Sequence, residues 1–149
     1  MIKKIFLSAI LLITLTINVP ATCQQKPPVE YKNVSAIELV NKPNLYLNKN
    51  VKITAVFNKF STLGLDYKPA MKSSKEYISF LLKRDDVVDH TVPLSELKIF
   101  IKRTKAEKLV DLESGDKIEI KGKVFSNALG DAWVEAYEVV NLSQKPKKP

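Results

Sequence analysis

The chain has 149 residues, 45% of them hydrophobic, enough for one domain with a core and too few for a second large one. Lys and Arg number 24 against 16 Asp and Glu, a formal net charge of +8, yet residues 35–142 hold 17 basic and 15 acidic side chains, a net +2. The excess sits at the ends, and with Arg84 and Arg103 the only arginines, the composition argues against an extended arginine surface for reading phosphates.

Residues 1–23 read "MIKKIFLSAILLITLTINVPATC". Lys3 and Lys4 precede an apolar run over residues 5–17, and small residues follow at Ala21 and Thr22. This is the layout of a secretory signal peptide, and the run is shorter than the roughly 20 residues of a membrane span. An exported protein, periplasmic or at the cell surface, is expected. Cys23, the single cysteine, stands where bacterial lipoproteins carry their lipid, although Pro20 and Thr22 depart from that pattern. Cleavage after Ala21 is the alternative, so the membrane is met only through the signal or a lipid on Cys23. One cysteine allows neither a disulfide framework nor a cysteine metal site.

Residues 24–34 form a proline-containing spacer and residues 143–149 a basic tail, both expected without regular structure. Between them, Ser35 and Glu38 have the spacing of a capping box, and Val34 with Leu39 that of a hydrophobic staple. A short helix from Ala36 to about Asn41 is expected, limited by Pro43. Alternation then marks a strand over 50–60, with Val51, Ile53, Ala55 and Phe57 on one side. A segment with Gly64, Pro69, Ser73 and Ser74 reads as a long loop, yet carries Leu63, Leu65, Tyr67 and Met71. Strands follow over 76–84 and 96–103. A second capping box, Thr104 with Glu107, predicts a helix with Ala106, Leu109 and Val110 as its apolar stripe, ended by Gly115. "GDKIEIKGKVF" is a fourth strand with Ile118, Ile120 and Val124 opposite Lys117, Glu119, Lys121 and Lys123, and "AWVEAYEVVNL" a fifth.

The order is a short helix, three strands, a helix and two strands. The fold class expected is mainly β: a five-stranded OB-fold Greek-key barrel over residues 35–142 with a short N-terminal helix and a helix between strands three and four. The stretches "AIELVNKPNLYLNKNVKITAVF" and "LVDLESGDKIEIKGKVF" with "GDAWVEAYEV" resemble exported bacterial OB-fold proteins and anticodon-binding-like nucleic-acid OB domains. Two chemically defined relatives do not fit. Staphylococcal-nuclease-like enzymes need an acidic cluster beside catalytic arginines, and the haem chaperones need a late histidine, whereas the one histidine here is His90.

OB-folds take ligands on strands two and three, beside the loops joining strands one–two and four–five. The outward residues there are Tyr77, Ser79, Leu81 and Lys83, then Lys98, Phe100 and Lys102, with Lys52 and Thr54 from strand one. Aromatics between lysines suit stacking next to neutralised charge. The competing expectation is that the long loop folds over this side and buries the aromatics. Trp133 and Tyr137 share one side of strand five, in the core or at the edge of the same groove. Asp85, Asp86 and Asp89 with His90 are weak metal candidates, since aspartates also serve turns. With 4 glycines, no phosphate-cradling loop and no catalytic triad, neither a cofactor nor a catalytic residue is assigned. The function expected is a non-catalytic binding module of the cell envelope holding an anionic polymer, a glycan or a protein partner. The alternatives are an extracytoplasmic nucleic-acid-binding OB domain and, third, a metal-dependent hydrolase.

Overall fold

The computed structural model describes residues 28–87 and 92–143; residues 1–27 with Cys23, residues 88–91 with Asp89 and His90, and 144–149 lie outside it. The chain enters through β1 (Lys32–Asn33), α1 (Ala36–Asn41) and α2 (Pro43–Tyr46). Ser35 Oγ accepts from Glu38 N at 3.1 Å, as the capping box predicts, and Val34 and Leu39 are both buried at the helix start. The Glu38 carboxylate turns instead to the Tyr46 hydroxyl, tying α1 to α2. Pro43 ends α1 and opens α2, where its missing N–H costs nothing. The last spacer residues are not a free arm: Lys32 and Asn33 pair in parallel with Val51 and Lys52.

Five longer strands close on themselves. They are β2 (Asn50–Ser61), β3 (Tyr77–Leu82), β4 (Leu97–Lys102), β5 (Lys117–Ser126) and β6 (Ala132–Asn141). Around the barrel the order is β2-β3-β4-β6-β5 and back to β2, with β4 and β6 parallel and the other neighbours antiparallel. This is the OB-fold Greek-key barrel. The long β2 makes closure possible. Its first half pairs with β5 from Asn50 to Val56, its second half with β3 from Phe57 to Ser61, and a bulge between Phe57 and Lys59 turns the strand between the two partners.

The interior is filled by alternate residues, among them Ile53, Phe57, Phe80, Ile99, Ile118 and Val134. Ile118, Ile120 and Val124 have no accessible surface, so the apolar side of "GDKIEIKGKVF" lines the cylinder and its charged side faces out. Gly122 lies where β5 and β6 shift register, and a Cβ there would sit 2.3 Å from the Glu135 carbonyl oxygen, so any side chain would break the β5–β6 pairing.

The helix between strands three and four differs from expectation. β4 runs straight into α3 (Arg103–Ala106), so Lys102 takes the cap position without a side-chain bond and Thr104 falls inside the helix. A 3₁₀ turn, Glu107–Leu109, follows. Leu109 is buried while Val110 is 73% exposed, which removes Val110 from the apolar stripe. Gly115 belongs to the turn into β5, where its N–H donates to the Phe57 carbonyl at 2.9 Å.

Candidate functional site

OB-folds in general take ligands on the second and third barrel strands, here the outer side of β3 and β4, which β6 flanks. Register places Lys98 beside Trp133 and Phe100 beside Glu135, and Lys102 and Tyr137 follow on the same sides of β4 and β6, just beyond the last paired residues Ile101 and Ala136. Ser79 faces Phe100 across β3–β4, and Tyr77 faces Lys102.

Most of this side is covered. Loop 62–76 folds over it and builds a second, smaller core from Ala70, Tyr77, Phe100 and Trp133, with Leu65, Tyr67, Phe125 and Ala128 packed against them. Trp133 is sandwiched: Tyr67 stacks on it at 5.4 Å between centroids and Phe100 at 5.5 Å. Its indole N–H donates to the Ala128 carbonyl at 2.7 Å, so the one polar atom of the ring is satisfied. Gly64 lets the loop come this close. Its φ of +81° suits glycine, and a Cβ there would lie 3.0 Å from the Phe100 ring and 3.2 Å from Trp133.

Polar contacts fasten the loop at both ends of the aromatic stack. Asp66 Oδ1 accepts from Ser74 N at 3.0 Å inside the loop. Lys72 pairs with the Glu135 carboxylate, whose other oxygen accepts from the Tyr77 hydroxyl at 2.8 Å; the same ammonium lies over the Tyr77 and Phe125 rings. Lys98 is bound by Asp131 and by the Ser95 carbonyl at 2.8 Å. Burial alone would raise the Glu135 carboxyl, but the bonds from Lys72 and Tyr77 outweigh it and hold the group below its ordinary value. The Tyr77 hydroxyl is pushed up to about 12, by burial first and then by its bond to Glu135. The Ser79 hydroxyl is buried with no hydrogen-bond partner among the described residues.

The eight residues singled out in the sequence therefore divide into groups. Tyr77, Ser79, Lys98 and Phe100 are under or beside the loop, between 0% and 9% exposed, and reach no solvent-borne ligand in this conformation. Lys52 and Thr54 lie on the far part of β2, beside β5, where Lys52 pairs with Glu119 at 3.5 Å. Lys83 is half-buried at the end of β3, bridged to Pro93. Of the candidates on the outer side of β3 and β4, Lys102 alone is exposed. Among the weak metal candidates, Asp86 is held by the Arg84 guanidinium, first through hydrogen bonds at 2.9 and 3.0 Å, which keep its carboxyl below the ordinary value. No group of three His, Cys, Asp or Glu among the described residues is placed to hold a metal ion.

At the margin of the covered side the sequence points to Lys102, and to Tyr137 as core or groove edge, but not to Arg103 and Lys105. Arg103 and Lys105, both exposed, follow Lys102 directly as β4 becomes α3. Arg103 Nε donates to the Ser74 carbonyl at 2.8 Å, and Lys105 Nζ donates to the Tyr137 carbonyl at 2.6 Å while lying 6.0 Å above that ring. Tyr137 is 38% exposed, and its hydroxyl is raised by burial first and then by the nearby Glu135 and Tyr31. The signal was present in "IKRTK" and "EAYE", but only the parallel β4–β6 register puts them together. Behind Arg103 a shallow apolar groove of about 300 Å³ is lined by Phe60, Ile78, Ala106 and Val110.

No protein-family model and no curated protein sequence matches the chain. Solved structures do. A chain described as an aspartyl-tRNA synthetase from Leishmania major Friedlin superposes with a TM-score of 0.50 at 7% identity, over 85% of this chain and 24% of that one. Asparaginyl-tRNA synthetase from Pyrococcus horikoshii, complexed with asparaginyl-adenylate, superposes with a TM-score of 0.50 at 15% identity, over 79% of this chain and 24% of the enzyme. The chain thus spans about a quarter of each synthetase, and at such identities the likeness is one of fold.

Proposed function

We propose that the chain is a non-catalytic OB-fold module that binds single-stranded nucleic acid, and that it does so outside the cytoplasm. The observation that carries the reading is an OB barrel whose ligand side ends in three exposed cations, Lys102, Arg103 and Lys105, none with an ion-pair partner among the described residues, beside the exposed ring of Tyr137. Cations next to an aromatic face are what a phosphate backbone and an unstacked base need. Two structures of like fold are named as tRNA synthetases, which agrees with an RNA or other single strand as the occupant class. The location rests on the signal layout of residues 1–23, and the mass of the mature N-terminus tests it together with lipidation of Cys23.

An envelope module for a glycan or protein partner is the second reading. It is favoured by the covered aromatic side, which leaves few rings for stacking, and by the net +2 of residues 35–142. Fluorescence anisotropy with labelled single-stranded DNA and RNA over a salt series separates the two. The first reading predicts binding whose logarithm falls with log salt, by about 0.7 for each phosphate contacted. No binding, or affinity indifferent to salt, favours the second.

A further inference from the structure

We infer that the nucleic acid docks on the margin formed by Lys102, Arg103, Lys105 and Tyr137, with its phosphates on the three cations and one base against the tyrosine, and that it leaves the β3–β4 strand surface covered. This rests on the nucleic-acid reading above and gives that reading a surface.

The usual strand surface is a second core. Trp133 is stacked on both Phe100 and Tyr67, its indole N–H is satisfied, and both nearby lysines are bound to carboxylates. A ligand entering there would have to replace all of these contacts at once. The margin needs no rearrangement. Lys102 follows Lys98 and Phe100 on the same outer side of β4, so it continues the ligand surface past the edge of the loop. Arg103 and Lys105 are already steadied through single bonds to the Ser74 and Tyr137 carbonyls, which uses one donor of each and keeps the charge at the surface. Lys75 and Lys108 are exposed in the segments on either side.

The nearby acids do not cancel the patch. Glu135 is bound by Lys72 and Tyr77, and Glu138 lies 3.2 Å from Lys121; Glu76, Glu107 and Asp111 are exposed carboxylates in the same segments as the five cations. The competing basic surface is the outer side of β5. There Glu119 sits between Lys52 at 3.5 Å and Lys121 at 3.9 Å, Glu138 takes Lys121 as well, and Lys117 and Lys123 stand at opposite ends of the row. That surface is internally neutralised in its middle, and the margin is not.

The test compares a labelled oligothymidylate binding to wild type, to Lys102→Ala/Arg103→Ala/Lys105→Ala and to Lys117→Ala/Lys123→Ala. The single variant Lys102→Ala is included because no side-chain hydrogen bond or ion pair of Lys102 is formed among the described residues, and its unfolding midpoint is measured alongside. The margin variant is expected to lose about tenfold or more in affinity at low salt and to flatten the log–log salt slope by about 2, with Lys102→Ala losing part of both and the β5 variant staying within about twofold of wild type. A margin variant that binds like wild type, or a β5 variant that loses more, overturns the location while nucleic-acid binding stands. Wild type that binds no oligonucleotide overturns the nucleic-acid reading and the docking surface with it, and heparin binding lost in the margin variant would then assign the same surface to an acidic glycan.

Discussion

Two halves of one sheet side, one step apart on β4 and two on β6, have opposite fates. Phe100 and Trp133 carry the largest rings on the outer side of the barrel and have no accessible surface, whereas Lys102 and Tyr137, further along the same strands, stand open. The difference does not come from the strands. It comes from loop 62–76, which lays Leu65, Tyr67 and Ala70 on the first pair and stops short of the second. Alternation assigns a residue to a side; what the connecting segments do decides whether that side meets water.

The contrast breaks most visibly at its centre. Trp133→Ala removes the ring on which Tyr67 and Phe100 both stack, and is expected to cost about 3–5 kcal/mol in denaturant unfolding. A cost below about 1 kcal/mol would mean that the second core contributes little. Gly64→Val is next: a side chain at positive φ pressed on Phe100 and Trp133 is expected to cost about 1–3 kcal/mol, whereas a change at Tyr137 should cost less than half of that.

The loop's polar fastening gives a pH-dependent prediction. Because Glu135 titrates lower in the folded protein than in the unfolded chain, its contribution is present above about pH 4.3 and is lost as pH falls through the folded value. Glu135→Gln should destabilise by about 1–3 kcal/mol at neutral pH and flatten the acid limb of stability against pH. Tyr77 has the opposite sign. Its hydroxyl is raised to about 12, so its contribution holds below the ordinary tyrosine range and fades as pH climbs to that value; Tyr77→Phe should remove this alkaline loss. The smallest effect is Ser79→Ala. Deleting a buried hydroxyl without a partner should leave stability unchanged or raise it by up to about 1 kcal/mol, and a clear loss would show that the hydroxyl is satisfied in solution.

The barrel was legible because β2 and β5 bury alternate residues, from Val51 to Phe57 and from Ile118 to Val124, and Ser35 signals its helix through one local bond. Thr104 misled because a cap needs non-helical backbone before the helix, and β4 leaves no residue between strand and helix to supply it. β1 was hidden because a two-residue strand has no period to detect. The candidate site was legible only as a side. Leu65 and Tyr67 announced that the loop had something to bury, but which rings it would choose depends on contacts such as Gly64 with Phe100 that span tens of residues.

Trp133 is the only tryptophan, so its fluorescence reports on the covered half alone. Acrylamide quenching of that emission, in the free protein and at saturating oligonucleotide, tests the central claim most directly. The account predicts a blue-shifted, poorly quenched indole in both states, with ligand held at the margin. An indole quenched readily in the free protein, or one that becomes so on binding, would contradict it and place the occupant beneath loop 62–76.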